Sequence, residues 1–268
     1  MATAPTKSSP PKSSTALAVA RVPYTNCAPF FHAWPASTGV ELTDVPPRQF
    51  TAEAEAGKLV AGPMPLADFL RLQDRFERLG NLGIAVRGRC GSTQLFSRKP
   101  IRQLDGADIT VSDETSTTAM LLRLILEQRY QLAPKAYRRG GPEQATDAVL
   151  LIGDEALKFH AETRTFPFEV DVSFEWWLWQ HLSTVFAVWV VRKDCASEDK
   201  QRLLRVLQHQ VAVNLPQREQ LAAARAEQLG LPAKELSEYL SRFLYRFSEP
   251  EESAITQFEK LAHANGLL

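Results

Sequence analysis

One asparagine of this chain stands where its side chain can bind a hydroxyl group. Asn26 lies between Pro23 and Pro29, shortly after the apolar residues 17–22. A side-chain amide both donates and accepts hydrogen bonds, so it can hold a substrate hydroxyl and a neighbouring oxygen together. At the end of a strand, such an amide would face the cleft in which α/β proteins bind ligands. The alternative is an Asx-turn that only closes the loop.

A glycine-rich loop with an adjacent hydroxyl follows further along the chain. Gly91 and Ser92 end the sequence GRCGS, and glycine lets backbone N–H groups approach a ligand closely. The side chain of Ser92 adds a donor, and Arg87 or Arg89 can pair with a carboxylate. A surface turn would give the same pattern, and the residues alone do not separate these two interpretations.

Hydroxyl side chains open a predicted helix that runs from about residue 116 to residue 130. The N-terminus of a helix offers free N–H groups and a partial positive charge, and both favour a carboxylate. Thr117 and Thr118 add hydroxyl donors at this point. We expect Asp113 or Thr115 to cap the helix, and capping alone would also explain the start rich in Ser and Thr.

Gly153 and Asp154 follow the apolar residues 149–152, which predict a buried strand. An acidic side chain at that end of a strand points toward the region where ligands bind. Asp154 would equally well cap a helix that starts at Glu155.

The elements that position these residues alternate between strands and helices. After residue 193, by contrast, four segments show helical periodicity and none is predicted to be a strand. The alternation before that point predicts a largely parallel sheet covered by helices. The predicted strands are residues 17–22, 59–64, 82–86, 109–112, 149–152 and 185–191.

Two extended segments, residues 94–97 and 186–189, are predicted to form the crossings of a hinge between two lobes. Ligands of such proteins bind in the cleft between the lobes. The predicted division is a first lobe of residues 16–95 and 190–268, which includes the helical C-terminal part, and a second lobe of residues 96–189.

Composition excludes several classes of function. Lys+Arg and Asp+Glu both number 31, so the chain has no net charge and no electrostatic signature of nucleic-acid binding. Three widely spaced cysteines predict neither a zinc site nor disulfide bonds, and motifs for metals or nucleotides are lacking, so no metal or cofactor is expected. Residues 1–15 predict a disordered tail rather than a signal peptide. No apolar run is long enough to span a membrane, and we therefore expect no membrane partner and a cytoplasmic location.

Six segments between about residues 20 and 193 carry a family resemblance. In order, they are PYTNCAP, GIAVRGRCGSTQLFSRKPI, ETSTTAMLL, LLIGDEAL, DVSFEWW and VFAVWVVR. Their order and spacing resemble menaquinone-pathway chorismate dehydratase. The resemblance implies an α/β, two-lobed type II periplasmic-binding-protein-like fold that works in the cytoplasm without a cofactor. The implied reaction removes water from chorismate to give 3-(1-carboxyvinyloxy)benzoate on the futalosine route to menaquinone.

The resemblance also implies roles for the residues singled out above. Chorismate carries two carboxylates and a ring hydroxyl, so its site needs two carboxylate cradles and one group that holds the departing hydroxyl. Asn26 would be the catalytic residue that orients the hydroxyl and the ring, and a carboxylate of the substrate would act as the base. The implied substrate-binding residues are Tyr24, Gly91, Ser92, Thr117, Thr118, Gly153 and Asp154.

The chain departs from the family pattern at two positions. Pro65-Leu66 stands where members usually carry a serine-containing pair, and Val86 stands where a hydroxyl is expected to contact the substrate. These departures favour an alternative interpretation, a non-catalytic cytoplasmic protein of the same fold that binds a small acid.

The sister enzyme of the pathway, 1,4-dihydroxy-6-naphthoate synthase, is a further alternative with the same fold. Its family carries a His-Glu-Gly pattern around a catalytic histidine. The sequence His160-Ala161-Glu162 is only weakly similar to that pattern.

Overall fold

Strands of two separate β-sheets run through the computed structural model, which describes residues 16–162 and 165–268. The first sheet has the strand order β11-β4-β10-β3-β1-β2 and the second has β7-β6-β8-β5-β9, where the numbers follow the chain. The predicted tail, residues 1–15, lies outside the described residues. The strands are β1 Leu17–Arg21, β2 Val40–Asp44, β3 Ala61–Pro65, β4 Phe76–Val86, β5 Thr93–Ser97, β6 Asp108–Val111, β7 Ala136–Arg139, β8 Ala148–Ile152, β9 Phe168–Asp171, β10 Thr184–Arg192 and β11 Phe243–Arg246.

Helices pack on the faces of both sheets. The helix predicted from residue 116 begins as α4 and ends in one turn of π-helix, Ile125–Arg129. The α-helices are α1 Ala28–Phe31, α2 Pro47–Glu55, α3 Leu66–Leu72, α4 Thr117–Leu124, α5 Gly153–Glu162, α6 Val172–Gln180, α7 Ser197–Asn214, α8 Arg218–Leu229, α9 Ala233–Leu240 and α10 Glu249–Ala264.

Continuous apolar sequence explains why the central strands are buried. Every residue of β3 is buried, and four consecutive residues of β8, 148–151, are buried as well. A strand covered on both faces must be apolar on both, so its sequence loses the usual alternation. The outer strand β2 has no buried residue and carries the alternating sequence VELTD.

The prediction of a largely parallel arrangement is wrong for both sheets. β10 runs antiparallel to its neighbours β3 and β4, and β5 runs antiparallel to β8 and β9. The reason is the path of the chain: β4 leads out of the first sheet toward the second, and β10 returns in the opposite direction.

The C-terminal segment was predicted to contain only helices, and this is also wrong. β11 pairs with the edge of β4, and its residues Phe243 and Tyr245 are buried while Arg246 is exposed. This alternation is typical of a strand, but the helical pattern on both sides masks it in the sequence.

The chain crosses between the sheets in residues 87–92 and again in residues 172–183. The predicted hinge segments, residues 94–97 and 186–189, instead lie within β5 and β10. The first crossing is a loop and the second is mostly helix α6, so the extended segments on which the prediction rests lie inside strands instead.

Candidate active site

The two lobes are built around the six-stranded and the five-stranded sheet, and a cavity of about 600 Å³, counting its open mouth, is bounded by residues of both. Six of the eight predicted site residues line it: Tyr24, Asn26, Ser92, Thr117, Thr118 and Gly153.

Asn26 lies in a short 3₁₀ helix, Thr25–Cys27, that connects β1 to α1. Phe30 of α1 packs edge-on against Trp189 and Tyr245, with ring centroids 5.2 and 5.4 Å apart. The hydroxyl of Tyr245 donates to the backbone oxygen of Asn26 at 2.9 Å. The backbone of Asn26 is thus fixed from behind, while its half-buried side chain lines the cavity.

Helix α4 starts at the cavity wall, where its first N–H groups have no partner within the helix. Its N-cap is Ser116 rather than the predicted Asp113 or Thr115, and the Ser116 hydroxyl makes no capping hydrogen bond. Thr117 Oγ1 accepts the N–H of Ala67 at 3.1 Å, which leaves the hydroxyl proton for another acceptor. N–H groups and hydroxyls at a helix N-terminus form a suitable cradle for a carboxylate.

Ser92 is almost fully buried and belongs to a row of protonated groups behind the cavity. Its Oγ lies 2.8 Å from Tyr239 Oη and 3.2 Å from Cys90 Sγ. Burial raises the pKa of the Tyr239 phenol well above its ordinary value, so the phenol remains a hydrogen-bond donor at neutral pH. The backbone oxygen of Ser92 accepts the N–H of Gly153 at 2.8 Å and so joins two of the loops that form the wall.

Two features favour glycine at position 153. Its φ is +60°, in the left-handed region, and a Cβ atom would lie 2.8 Å from Cε2 of the Tyr24 ring. The ring of Tyr24, in the first lobe, therefore packs directly on the backbone of the second lobe.

Some buried hydroxyls on this wall lack hydrogen-bond partners, and those of Tyr24 and Ser116 are two of them. Tyr24 Oη and Ser116 Oγ are buried, and no partner for either atom is found in residues 16–162 or 165–268. Nearly all buried polar groups in folded proteins are paired with protein or water. A polar ligand in the cavity would supply the acceptors that these two hydroxyls lack.

The structure does not bring the other two predicted substrate-binding residues to this cavity wall. The N–H of Gly91 donates to a carboxylate oxygen of Asp171 at 2.6 Å. The carboxylate of Asp154 accepts the N–H of Thr25 at 3.1 Å and pairs with Arg225 at 2.5 Å. Both residues use their polar groups within the protein.

The structure does not place Arg87 or Arg89, either of which could pair with a carboxylate, at the cavity wall. Arg87 lies 3.8 Å from Glu251, and the guanidinium of Arg89 stacks over the ring of Phe174 at 4.6 Å. Neither arginine lines the cavity. Val86 is fully buried in the core, so a valine at this position removes no donor from the wall.

Glu114 lines the cavity but was missed among the predicted site residues. Burial, and then the nearby charges of Glu155 and Asp154, raise the pKa of its carboxyl. Its place just before a helix rich in Ser and Thr was the available signal, but that signal is shared with ordinary helix starts.

Two buried thiols also line the cavity. Burial and the charge of Asp154 raise the pKa of Cys27, and burial and the charge of Asp171 raise the pKa of Cys90 to about 12. Both are therefore protonated at neutral pH and lack the thiolate that nucleophilic catalysis requires.

Among the residues that the structure describes, no group of three or more His, Cys, Asp or Glu side chains is arranged to hold a metal ion. Within the same part of the chain, no helix is both long and apolar enough to cross a membrane.

Comparison with known proteins identifies relatives along almost the whole chain. A family described as menaquinone biosynthesis matches residues 17–264. The chain is also 30% identical over 260 residues to chorismate dehydratase of Thermus thermophilus, a match that covers 91% of this chain and 93% of that protein.

Solved structures show the same fold. A protein of Archaeoglobus fulgidus matches with a TM-score of 0.76 at 18% identity, over 96% of this chain and 100% of that one. The periplasmic aliphatic sulphonate binding protein of Escherichia coli matches with a TM-score of 0.61 at 16% identity, over 95% and 94% of the two chains. These likenesses confirm the predicted two-lobed periplasmic-binding-protein-like fold. The family match and the relative at 30% identity together show that this chain belongs to the menaquinone biosynthesis family that includes chorismate dehydratase.

Proposed function

We propose that the protein is a chorismate dehydratase, which eliminates water from chorismate to give 3-(1-carboxyvinyloxy)benzoate on the futalosine route to menaquinone. The observation that carries this proposal is the convergence of amide, hydroxyl and helix N-terminal donors on one cavity bounded by both lobes. The relative of the same family, chorismate dehydratase of Thermus thermophilus, supports the choice of substrate.

The start of α4 suits one of the two carboxylates of chorismate. There the N–H groups of the first turn provide a partial positive charge, and the Thr117 hydroxyl provides a hydrogen-bond donor. Thr118 also lines the cavity at this point and adds a hydroxyl donor.

Ser92 and Tyr24, which also line the cavity, suit the second carboxylate. The Tyr24 hydroxyl lacks a partner within the described residues, and the Ser92 hydroxyl is held by Tyr239. Neutral donors of this kind bind an anion without the arginines that the sequence suggested.

Asn26 is the group that holds the departing hydroxyl and orients the ring. The reaction breaks one ring C–H bond and the C–O bond of the ring hydroxyl, and the proton and the hydroxide leave together as water. The electron pair of the C–H bond completes the aromatic ring of the product. Aromatisation supplies the driving force, so a carboxylate of the bound substrate is a sufficient base, and the protein contributes position and electrostatics.

The remaining parts of the proposal concern conditions and partners. The enzyme is a carbon–oxygen lyase that needs no cofactor, acts in the cytoplasm and binds a small dicarboxylate rather than nucleic acid or a membrane. The hydroxyl and amide groups that line the cavity support the small-molecule partner.

The sister reaction has less support. His160 is 61% exposed and contacts Glu169 at 2.6 Å, and it does not line the cavity with Asn26. A catalytic histidine needs to reach the substrate. The non-catalytic alternative keeps one supporting feature, because Pro65 does line the cavity where a hydroxyl is usual in the family.

Incubation with chorismate tests these possibilities. Loss of the cyclohexadiene absorbance, together with a product 18 mass units lighter than chorismate, is the expected result, since one molecule of water is lost. A sample without protein controls for spontaneous decay. Saturable binding of chorismate without turnover would instead support the non-catalytic alternative, and the absence of both binding and turnover would contradict the proposed substrate.

A further inference from the structure

An ion pair formed by two distant parts of the chain holds the loop that carries Asn26. Asp154 lies at the start of α5 in the second lobe, and Arg225 lies on α8 in the C-terminal segment. Arg225 Nη2 and Asp154 Oδ2 are 2.5 Å apart, and the two side chains are only 28% and 12% exposed. Salt screens a pair that is so little exposed much less than it screens a surface pair.

Both charged groups also bind the backbone of this loop. Arg225 Nη2 donates to the oxygen of Pro23 at 2.9 Å, and Asp154 Oδ1 accepts the N–H of Thr25 at 3.1 Å. Thr25 begins the 3₁₀ helix that contains Asn26, and the first N–H groups of a helix lack partners inside it. A carboxylate of the second lobe therefore caps a helix of the first lobe.

A third contact lies between these two hydrogen bonds along the chain. Tyr24, between Pro23 and Thr25, packs its ring on the backbone of Gly153, the residue before Asp154. Three consecutive residues of the Asn26 loop are thus tied either to the second lobe or to the arginine that pairs with it.

We propose that Asp154 and Arg225 form an interlobe clamp that fixes Asn26 relative to the second lobe, and that Arg225 is a positioning residue for turnover. The consequence for turnover rests on the proposed function. Asn26 belongs to the first lobe and the carboxylate cradle at α4 belongs to the second, so the distance between them depends on how the lobes are held. A displacement of about 1 Å between such groups can lower a rate about 100-fold although no group that binds the substrate is lost.

Substitution of Arg225 tests the clamp with two separate measurements. In Arg225→Ala we expect kcat for chorismate to fall about 10- to 100-fold while KM changes less than about threefold. We also expect the Thr25 amide to exchange its hydrogen at least about ten times faster, because its acceptor Asp154 loses the charge that holds it in place.

Two further variants and a control separate the clamp from a general loss of structure. Arg225→Lys keeps the charge but loses the planar guanidinium, in which Nη1 bonds Gln228 and so helps to hold Nη2 on Asp154 and Pro23. It should therefore fall between the wild type and Arg225→Ala. Asp154→Asn keeps the shape and should resemble Arg225→Ala in both measurements. Arg218→Ala removes an exposed arginine from the same helix, about two turns earlier, and should behave as the wild type.

The possible results test the clamp and the proposed function independently of each other. A wild-type protein that turns over chorismate, with Arg225→Ala and Asp154→Asn both unchanged in kcat and in Thr25 exchange, overturns the clamp and leaves the function intact. A raised KM at constant kcat also overturns it, since Arg225 would then serve affinity. If the wild type has no turnover but Thr25 exchange accelerates in the variants, the proposed function fails while the clamp stands. Should Arg225→Ala not fold, Arg225→Lys and Asp154→Asn provide both measurements.

Discussion

The cavity wall and the C-terminal segment behind it are built from different kinds of side chains. The wall presents small hydroxyl and amide groups, such as those of Asn26 and Thr117, from short loops and one helix start. The C-terminal segment contributes three large side chains, Arg225, Tyr239 and Tyr245, which bind the loops and do not line the cavity.

The groups on the wall can act on the substrate, and the groups of the C-terminal segment determine where the wall groups lie. Short loops have few contacts of their own and are among the less stable parts of a fold. Groups at the wall can act only if something holds those loops, and here α8, α9 and β11 do so. Substitutions at the wall should therefore affect the chemical step most strongly, and substitutions in the support should affect it less and through position.

The largest effect is expected at Asn26. In Asn26→Ala, kcat should fall about 1,000-fold, because the group that holds the departing hydroxyl is lost. Binding of the product, measured by calorimetry, should change much less. Asn265→Ala, which removes an amide at the end of α10, is the matched control. Intact turnover in Asn26→Ala would remove Asn26 from the mechanism.

Gly153→Ala should lower turnover about 100-fold, since its Cβ would displace the Tyr24 ring and with it the Asn26 loop. Gly106→Ala separates this clash from backbone strain. Gly106 has a φ of +67°, close to the +60° of Gly153, but a Cβ there would meet nothing within 4 Å. Both variants should lose about 1 kcal/mol of unfolding free energy from strain. Equal kcat values in the two variants would contradict a role for the Tyr24 contact.

Removal of one support hydroxyl should have a smaller effect. Tyr245→Phe loses the hydrogen bond to the backbone oxygen of Asn26, and kcat should fall about tenfold with KM nearly unchanged. Tyr130→Phe removes a comparable hydroxyl that donates to Glu175, and it should leave kcat unchanged. If both variants keep wild-type kcat, the phenol of Tyr245 serves only stability.

Much of the wall could be predicted from the sequence, whereas the support could not. Asn26, Ser92 and Thr117 stand at strand ends or a helix start, where local pattern predicts a ligand site, and the structure places all three on one cavity. Gly91 and Asp154 fit the same pattern, but their polar groups bind Asp171 and Arg225 instead. Local sequence cannot distinguish these outcomes, because each depends on a partner far along the chain.

Tyr245 is a functional contact that local sequence could not predict. It is 219 positions from Asn26 and lies in β11, a strand flanked by helical sequence. No spacing rule connects such residues, so only the fold reveals that the C-terminal segment supports the cavity. The two crossings were missed for a related reason, since apolar extended sequence has the same appearance in a hinge and in a buried strand.

The smallest expected effect concerns Glu114, an ionisable carboxyl on a wall whose hydroxyl and amide groups are neutral. Burial, and then Glu155 and Asp154, raise its pKa, so the folded protein binds this proton more tightly than the unfolded chain does. The resulting stabilisation is complete below the unfolded pKa and is lost as pH rises through the raised folded pKa. Relative to Glu114→Gln, the wild-type free energy of unfolding should therefore fall between acidic and neutral pH, by at most about 1 kcal/mol because the side chain is only half-buried.

Chemical denaturation of both proteins across that range measures the difference, with Glu235→Gln, an exposed glutamate of α9, as the control. Glu114→Gln should also lower KM for chorismate at neutral pH, since an ionised Glu114 repels a substrate with two carboxylates. A difference in unfolding free energy that is flat with pH, together with an unchanged KM, would mean that Glu114 lies beside the substrate without sensing its charge. The wall would then act through its neutral donors alone, whereas the support behind it includes the charged pair of Arg225 and Asp154.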